Sequence, residues 1–272
     1  MRWRRLARNR LSFAALCAIL AVTLASLLAP WLAPYDPDAP DAEATLASVS
    51  LSHPLGTDVY GRDQLSRVIH AGRVDLLVAL SATAIALTLG SALGAAAGYR
   101  GGWMDQLVMR GVDAVMAFPA FILAMAITAA LGNSTANVVA AIAITHVPIY
   151  TRLIRGEMLR VRETEYAEAA RTVGNRPRQI VLYHLLPNCV PPLVVQATLA
   201  MGFAILTVAA LSFIGLGIQP PQSEWGQMTA EGAGYVVSGE WWLVLFVAVM
   251  YVFVNLVVDL LYGLADPRIR LG

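Results

Sequence analysis

Apolar runs and polar stretches alternate along this chain. Six apolar runs, at residues 11–32, 74–98, 107–131, 134–153, 188–214 and 241–263, are long enough for helices crossing a hydrocarbon core of about 30 Å. The pattern predicts an all-α, polytopic membrane protein with six transmembrane helices. Its segments are a first span with a basic N-terminus (1–33), a polar loop (34–73), and a five-helix core (74–272) interrupted by a second polar loop at 154–187. The first run exceeds a secretory-signal core, and Pro30 and Pro34 make poor cleavage neighbours, so it is expected to stay as a span, with Trp31 and Tyr35 at the interface. The polar loop after it ends in a short amphipathic helix expected from Asp63, with Leu65, Val68 and Ile69 on one face. Gly90, Gly94 and Gly98, four apart, draw a ridge where another helix backbone can pack. Pro187, Pro191 and Pro192 open the fifth run, and Trp241 and Trp242 the sixth.

The polar island Arg162–Pro187 reads as helix, break, helix. Glu163, Glu165 and Glu168 suit the positive end of a helix dipole, Gly174 suits a left-handed closing residue, and Asn175 is a candidate cap with Pro177 in the next first turn. Tyr166, Ala169, Ala170 and Val173 recur at helical spacing and give the first helix a small, mildly apolar face.

In this island Glu168, Ala169, Ala170, Gly174, Leu186 and Pro187 fall in the register of a motif, EAA, three residues, Gly, then Leu-Pro. There the chain resembles the membrane subunits of ATP-binding-cassette importers, and His184 looks like the His-x-Leu-Pro-Asn variant of their peptide and nickel branch. Leu55, Gly56, Thr57, Asp58, Gly61, Arg62, Asp63, Ser66 and Arg67 resemble that branch's LGTDxxGRDxxSR element. Turn chemistry alone accounts for Gly56, Asp58 and Gly61, so a structural role for it is preferred to substrate contact. Leu211–Met228 and the closing Asp266, Pro267 and Arg268 are similar to the family as well, whereas Val258, Tyr262 and Gly263 depart from its pattern. The resemblance implies a type I importer permease fold in which the 154–187 loop is a cytoplasmic coupling helix that docks into a separate ATPase. Tyr166, Glu168, Ala169, Ala170, Gly174, Leu186 and Pro187 would make that contact. It further implies a homologous second permease subunit, two ABC ATPase subunits, an extracytoplasmic substrate-binding protein, and import of di- or oligopeptides, with nickel or a metal chelate as the alternative cargo.

Composition narrows the chemistry. With 58% hydrophobic and 14% charged residues the 272-residue chain belongs in a bilayer, and its net charge of +1 suggests no nucleic-acid partner. All 19 basic residues are arginine, and neither a P-loop nor Schiff-base catalysis works without lysine, so ATP must be bound by another polypeptide and the chain is not expected to be an enzyme. With both termini cytoplasmic only Arg62, Arg67 and Arg73 lie outside, the orientation of a bacterial inner-membrane protein with a basic cytoplasmic face. His53, His70, His146 and His184 are scattered, none precedes a glutamate, and no metal or cofactor is expected. His146, near Pro148, reads as a packed residue; Cys17 and Cys189 read as packing residues too. Arg110 with Asp113 and Asn255 with Asp259 are spaced for structural ties. The reading from another class, an ion-coupled secondary transporter or channel, wants mid-membrane charges or broken helices, and neither is expected here. A membrane hydrolase using Asp113 and Asp259 is the weakest alternative.

Overall fold

The computed structural model describes residues 10–265, with side chains over 17–254 apart from residue 19. Regular structure among the described residues is helical, save one isolated bridge between Thr57 and Asp63. Helix α1 is Arg10–Leu27, followed by a one-turn helix, Ala29–Leu32, that Pro30 opens. Then come α2 (Gln64–Arg100), α3 (Gly102–Met116), α4 (Ala120–Leu131), α5 (Thr135–Val161), α6 (Glu165–Thr172), α7 (Pro177–Phe213), α8 (Trp225–Ala233) and α9 (Trp242–Ala265).

Among the described residues three helices, α2, α5 and α7, are long and apolar enough to cross a membrane, or four crossings if the bent pair α3–α4 counts as one. The expected spans at 11–32 and 241–263 map to α1 and α9. The expected corner tie between Asn255 and Asp259 and the Asp266–Arg268 match lie outside the described side chains.

Four expectations about element boundaries change. The amphipathic helix from Asp63 and the span from residue 74 are one 37-residue helix, so the first polar loop ends at residue 63. Asp63 caps it, its carboxylate accepting from Ser66 N at 2.8 Å. The polar first turns do not break the helix because the preceding loop and α8 cover them. Over its C-terminal third, α2 packs along α5 through the glycine ridge: a methyl at Gly90 would sit 2.6 Å from Tyr150 Cβ, and one at Gly98 2.9 Å from Arg155 O.

The expected span 107–131 is broken, α3 and α4 meeting at 87°. Pro119, extended at φ −56° and ψ 127°, has no N–H to continue the helix and disfavours helical backbone at Phe118. A broken helix is therefore present where the sequence pattern gave none.

Helix α7 begins about ten residues before the expected fifth span, so Pro187, Pro191 and Pro192 lie within it. The helix widens to π geometry over Ile180–Leu185, with Leu186 N bonded five residues back to Val181 O, just ahead of the first of these prolines. Asn188 Nδ2 donates to His184 O at 2.7 Å across the same joint. Helix α5 continues to Val161, and the second polar loop correspondingly begins at 162.

Candidate functional site: the protruding hairpin and the buried polar network

Between α5 and α7 the chain projects as a short hairpin built on α6. Thr164 starts α6 in extended backbone, and its hydroxyl donates to Val161 O at 2.6 Å. Glu165 and Glu168 occupy the first turn and Arg171 the last, each complementing the helix dipole. Gly174, at φ +84°, reverses the chain, with Gly174 N bonded to Arg171 O at 2.9 Å and Asn175 N to Ala170 O at 3.3 Å. The following helix is capped from Arg176 rather than Asn175: Gln179 Oε1 accepts from Arg176 N at 3.0 Å, and Pro177 takes the first helical position.

The predicted face of α6 divides. Ala167 and Ala170, three apart, turn inward and are buried with Ile180 and Leu185, which makes Ala167 a packing residue that the motif register did not single out. Tyr166, Glu168, Ala169, Val173 and Gly174 are exposed, Val173 at 81%. Ala170 is thus seated against its own chain, because the apolar side of α6 faces α7. Leu186 packs half-buried beyond the π-helical joint, and Pro187 is exposed there. Glu168 and Arg171, three apart on α6, do not pair: Arg171 Nη2 donates to Arg162 O at 2.9 Å, and no ion pair among the described residues reaches Glu168. The carboxylate is left free on the exposed face.

Arginines tie the hairpin to the bundle. Arg162 Nη1 donates to Gly98 O at 2.9 Å, satisfying a carbonyl at the end of α2. Arg155 holds Asp105 through a forked contact, 2.6 Å on one arm. Asp113 pairs with Arg152 of α5 at 2.6 Å, not with Arg110, so the predicted tie is replaced by a bond between helices.

At the opposite end of α2 lies the feature that turn chemistry did not reveal. Asp58 accepts from Arg62 Nε at 2.7 Å and from Arg67 Nη1, and Glu231 of α8 stands 3.5 Å from both guanidinia. Arg67 and Asp58 are buried, and Arg67 Nε also reaches Ser223 at 3.3 Å. Around this network His53 contacts Asp63 at 3.0 Å, Trp242 Nε1 donates to Thr57 O at 3.2 Å, and Trp225 Nε1 donates to Val68 O at 3.1 Å. Gly56 and Gly61 take φ +72° and +76° in the turns that fold Asp58 inward. Glu224 caps α8, accepting from Gly226 N at 2.8 Å and Gln227 N at 2.7 Å, and faces the fully buried Asp75. Burial pushes the Glu224 carboxyl above the usual carboxylate range. Its readable signal was the Asp58–Arg62 spacing of four with Arg67 five further on, a charge density unusual for a solvated turn.

His146 lies half-buried in α5 two residues before Pro148, away from both clusters in sequence and alone in type. Among the described residues no three His, Cys, Asp or Glu side chains come together as a metal site. Cys17 is exposed and Cys189 buried, and they are not bonded to each other.

Comparison with known proteins places these features in context. Residues 90–271 match the family described as binding-protein-dependent transport system inner membrane component, and residues 1–52 match the N-terminal TM domain of oligopeptide transport permease C. A relative named "Probable D,D-dipeptide transport system permease protein DdpC", of Escherichia coli, is 42% identical over 254 residues, 92% of this chain and 85% of the relative. The dipeptide transport system permease protein DppC of Alkalihalophilus pseudofirmus is 39% identical over 98% of this chain and 89% of its own length. The glutathione transport system permease protein GsiD of Pectobacterium atrosepticum is 36% identical, with 98% and 90% covered. In fold, the chain is similar to one in the inward-facing MetNI methionine ABC transporter, with TM-score 0.53 and 18% identity over 74% of this chain and 96% of that one.

Proposed function

Since the chain belongs to the family of binding-protein-dependent transport system inner membrane components, we propose that it is one membrane-spanning subunit of an ATP-driven importer of di- or oligopeptides. Dipeptide and glutathione permeases among its relatives support peptide cargo over nickel or a metal chelate. A second, homologous permease subunit completes the path. Two separate ABC ATPase subunits hydrolyse ATP, and an extracytoplasmic binding protein delivers the cargo. Six helices cross the inner membrane with both termini in the cytoplasm, so that the α6 hairpin faces the ATPase and the Asp58–Glu231 network faces the binding protein.

The observation that carries this reading is the free face of α6. Tyr166, Glu168, Ala169 and Gly174 stand exposed while Ala167 and Ala170 fasten the same helix to α7. A partner that grips the outer face moves α7 with it, since the inner face is packed. Moving a two-state gate from 1:99 to 99:1 requires about 5.5 kcal/mol of differential binding. A helix anchored on one side and bare on the other is suited to transmitting such a load.

The test is peptide uptake by cells carrying Glu168→Lys or Gly174→Asp, both placed on the exposed hairpin. We expect membrane-inserted protein at normal level, loss of ATPase co-purification and uptake at background. Normal uptake at normal protein level would refute the coupling role.

A further inference from the structure

Between α2 and α7 runs an apolar groove with a cavity volume of about 930 Å³. Ala92 and Ala95 of α2 and Leu186, Val190 and Val194 of α7 form its walls, and Tyr99, Arg100 and Arg178 line one end. The walls belong to two of the helices apolar enough to cross a membrane, so the groove lies along the hydrocarbon layer. From Leu87 to Arg100 the α2 side measures about 20 Å at 1.5 Å per residue, long enough for an acyl chain to pass from the headgroup layer beyond the bilayer midplane.

Charge decides what fits. Arg100 and Arg178 are exposed, neither has an ion-pair partner among the described residues, and Arg100's hydrogen bond goes to Met104 Sδ at 3.4 Å. Most other arginines near this end are already engaged: Arg155 with Asp105, Arg160 with Glu157, and Arg162 with Gly98 O. Two uncompensated guanidinia at the mouth of an apolar slot ask for one ligand that is anionic at one end and hydrocarbon along its length. An apolar partner helix would fill the slot and leave both cations unanswered; inorganic phosphate would answer the cations and leave the slot empty.

We propose that this groove is a binding site for an anionic phospholipid of the surrounding bilayer, its phosphate held by Arg100 and Arg178 and one acyl chain lying between α2 and α7. The site adjoins the base of the hairpin, Arg178 standing four residues after Gly174, and lies at the opposite end of α2 from the buried Asp58 network. Lipid there would wedge the start of α7, the helix that carries the π-helical joint.

The full-length chain, with whatever subunits co-purify, is placed in bilayers of equal phosphatidylglycerol and phosphatidylcholine, released into mild detergent and weighed by native mass spectrometry. The expected result is preferential retention of phosphatidylglycerol. Each guanidinium near an anionic headgroup is worth about fivefold in affinity, so the double variant Arg100→Gln/Arg178→Gln should lose at least roughly tenfold of that preference. Ala92→Trp, at an exposed wall position, should lower retention of both lipids, and free glycerol phosphate should not displace the bound lipid. Equal retention of the two lipids, an unchanged preference in the double variant, or displacement by glycerol phosphate would overturn the proposal. So would disulfide trapping of Val190→Cys to another protein subunit, which would show the groove covered by protein. Thermal stability measured before lipid addition separates a misfolded variant from one that has lost the site, and Ala92→Trp supplies a reading independent of the arginines.

Discussion

Arg67 is fully buried. Its guanidinium is held by Asp58, Ser223 and Glu231, each from a segment distant from α2 in the chain or folded back onto it. Removing one member of such a cluster leaves the other charges stranded, and Arg67→Met is expected to destabilise the protein by about 3–5 kcal/mol. Asp58→Leu combined with Arg67→Met should recover part of that loss, read as thermal midpoint in detergent; additive losses would show that the two side chains do not depend on each other. Glu224 offers a pH readout. Its folded-state pKa lies above the ordinary value of 4.5 because the carboxyl is buried. The native state therefore binds more protons than the unfolded one in that interval. Stability is fully present below about pH 4.5 and declines as pH rises toward the raised folded value. Glu224→Gln, which keeps one acceptor for the α8 amides, should flatten that decline in thermal midpoints taken across the interval. An unchanged slope would assign the effect to another group.

At the scale of elements, close approach and chain reversal explain most of what was readable and most of what was not. The Gly90–Gly94–Gly98 spacing is legible because a ridge of missing side chains has one use on an apolar helix, and α5 fills it. Gly94→Val should therefore cost about 1–3 kcal/mol by overpacking, or prevent accumulation of folded protein. Gly111→Ala in α3, where an added methyl meets nothing within 4 Å, should be neutral or gain up to about 1 kcal/mol. Equal behaviour of the two variants in a fluorescence size-exclusion assay would remove α2–α5 packing as the reason. The Gly174 turn and the Asp63 cap were readable from local chemistry. The fusion of Asp63's helix with the following span was not, since what keeps polar first turns helical is the cover supplied by the preceding loop and by Trp225, over 150 residues away. Likewise Phe118-Pro119 was lost inside a hydropathic run, although proline's missing N–H is local. Hydropathy averages over the residue that matters there.

For the whole molecule, the proposed importer reading has this subunit draw its energy from separate ATPase partners. The broken α3–α4 pair removes one argument against an ion-coupled transporter, and the family assignment supplies a stronger one. The purified chain alone in liposomes should move no peptide under a proton or sodium gradient, and uptake should appear once ATPase subunits and the binding protein are added with ATP. Gradient-driven uptake by the chain alone would sink the importer reading. The candidate site at α6 stood out as a motif, but its division into an anchored and a free face needed the fold: residues 166–170 span little more than one turn, and register alone does not say which of two adjacent alanines faces α7.

Helix α2 is unbroken over 37 residues, about 55 Å of backbone against a hydrocarbon layer of about 30 Å. One extremity is bolted by Arg67 into the Asp58 cluster, and the other is pinned at Gly98 by Arg162, the residue from which the hairpin departs. A stiff strut fixed at both extremities cannot absorb a displacement; it can only hand it on. If the hairpin is the coupling element proposed above, a push there is handed along α2 to the Asp58 cluster without any relay of intermediate side chains.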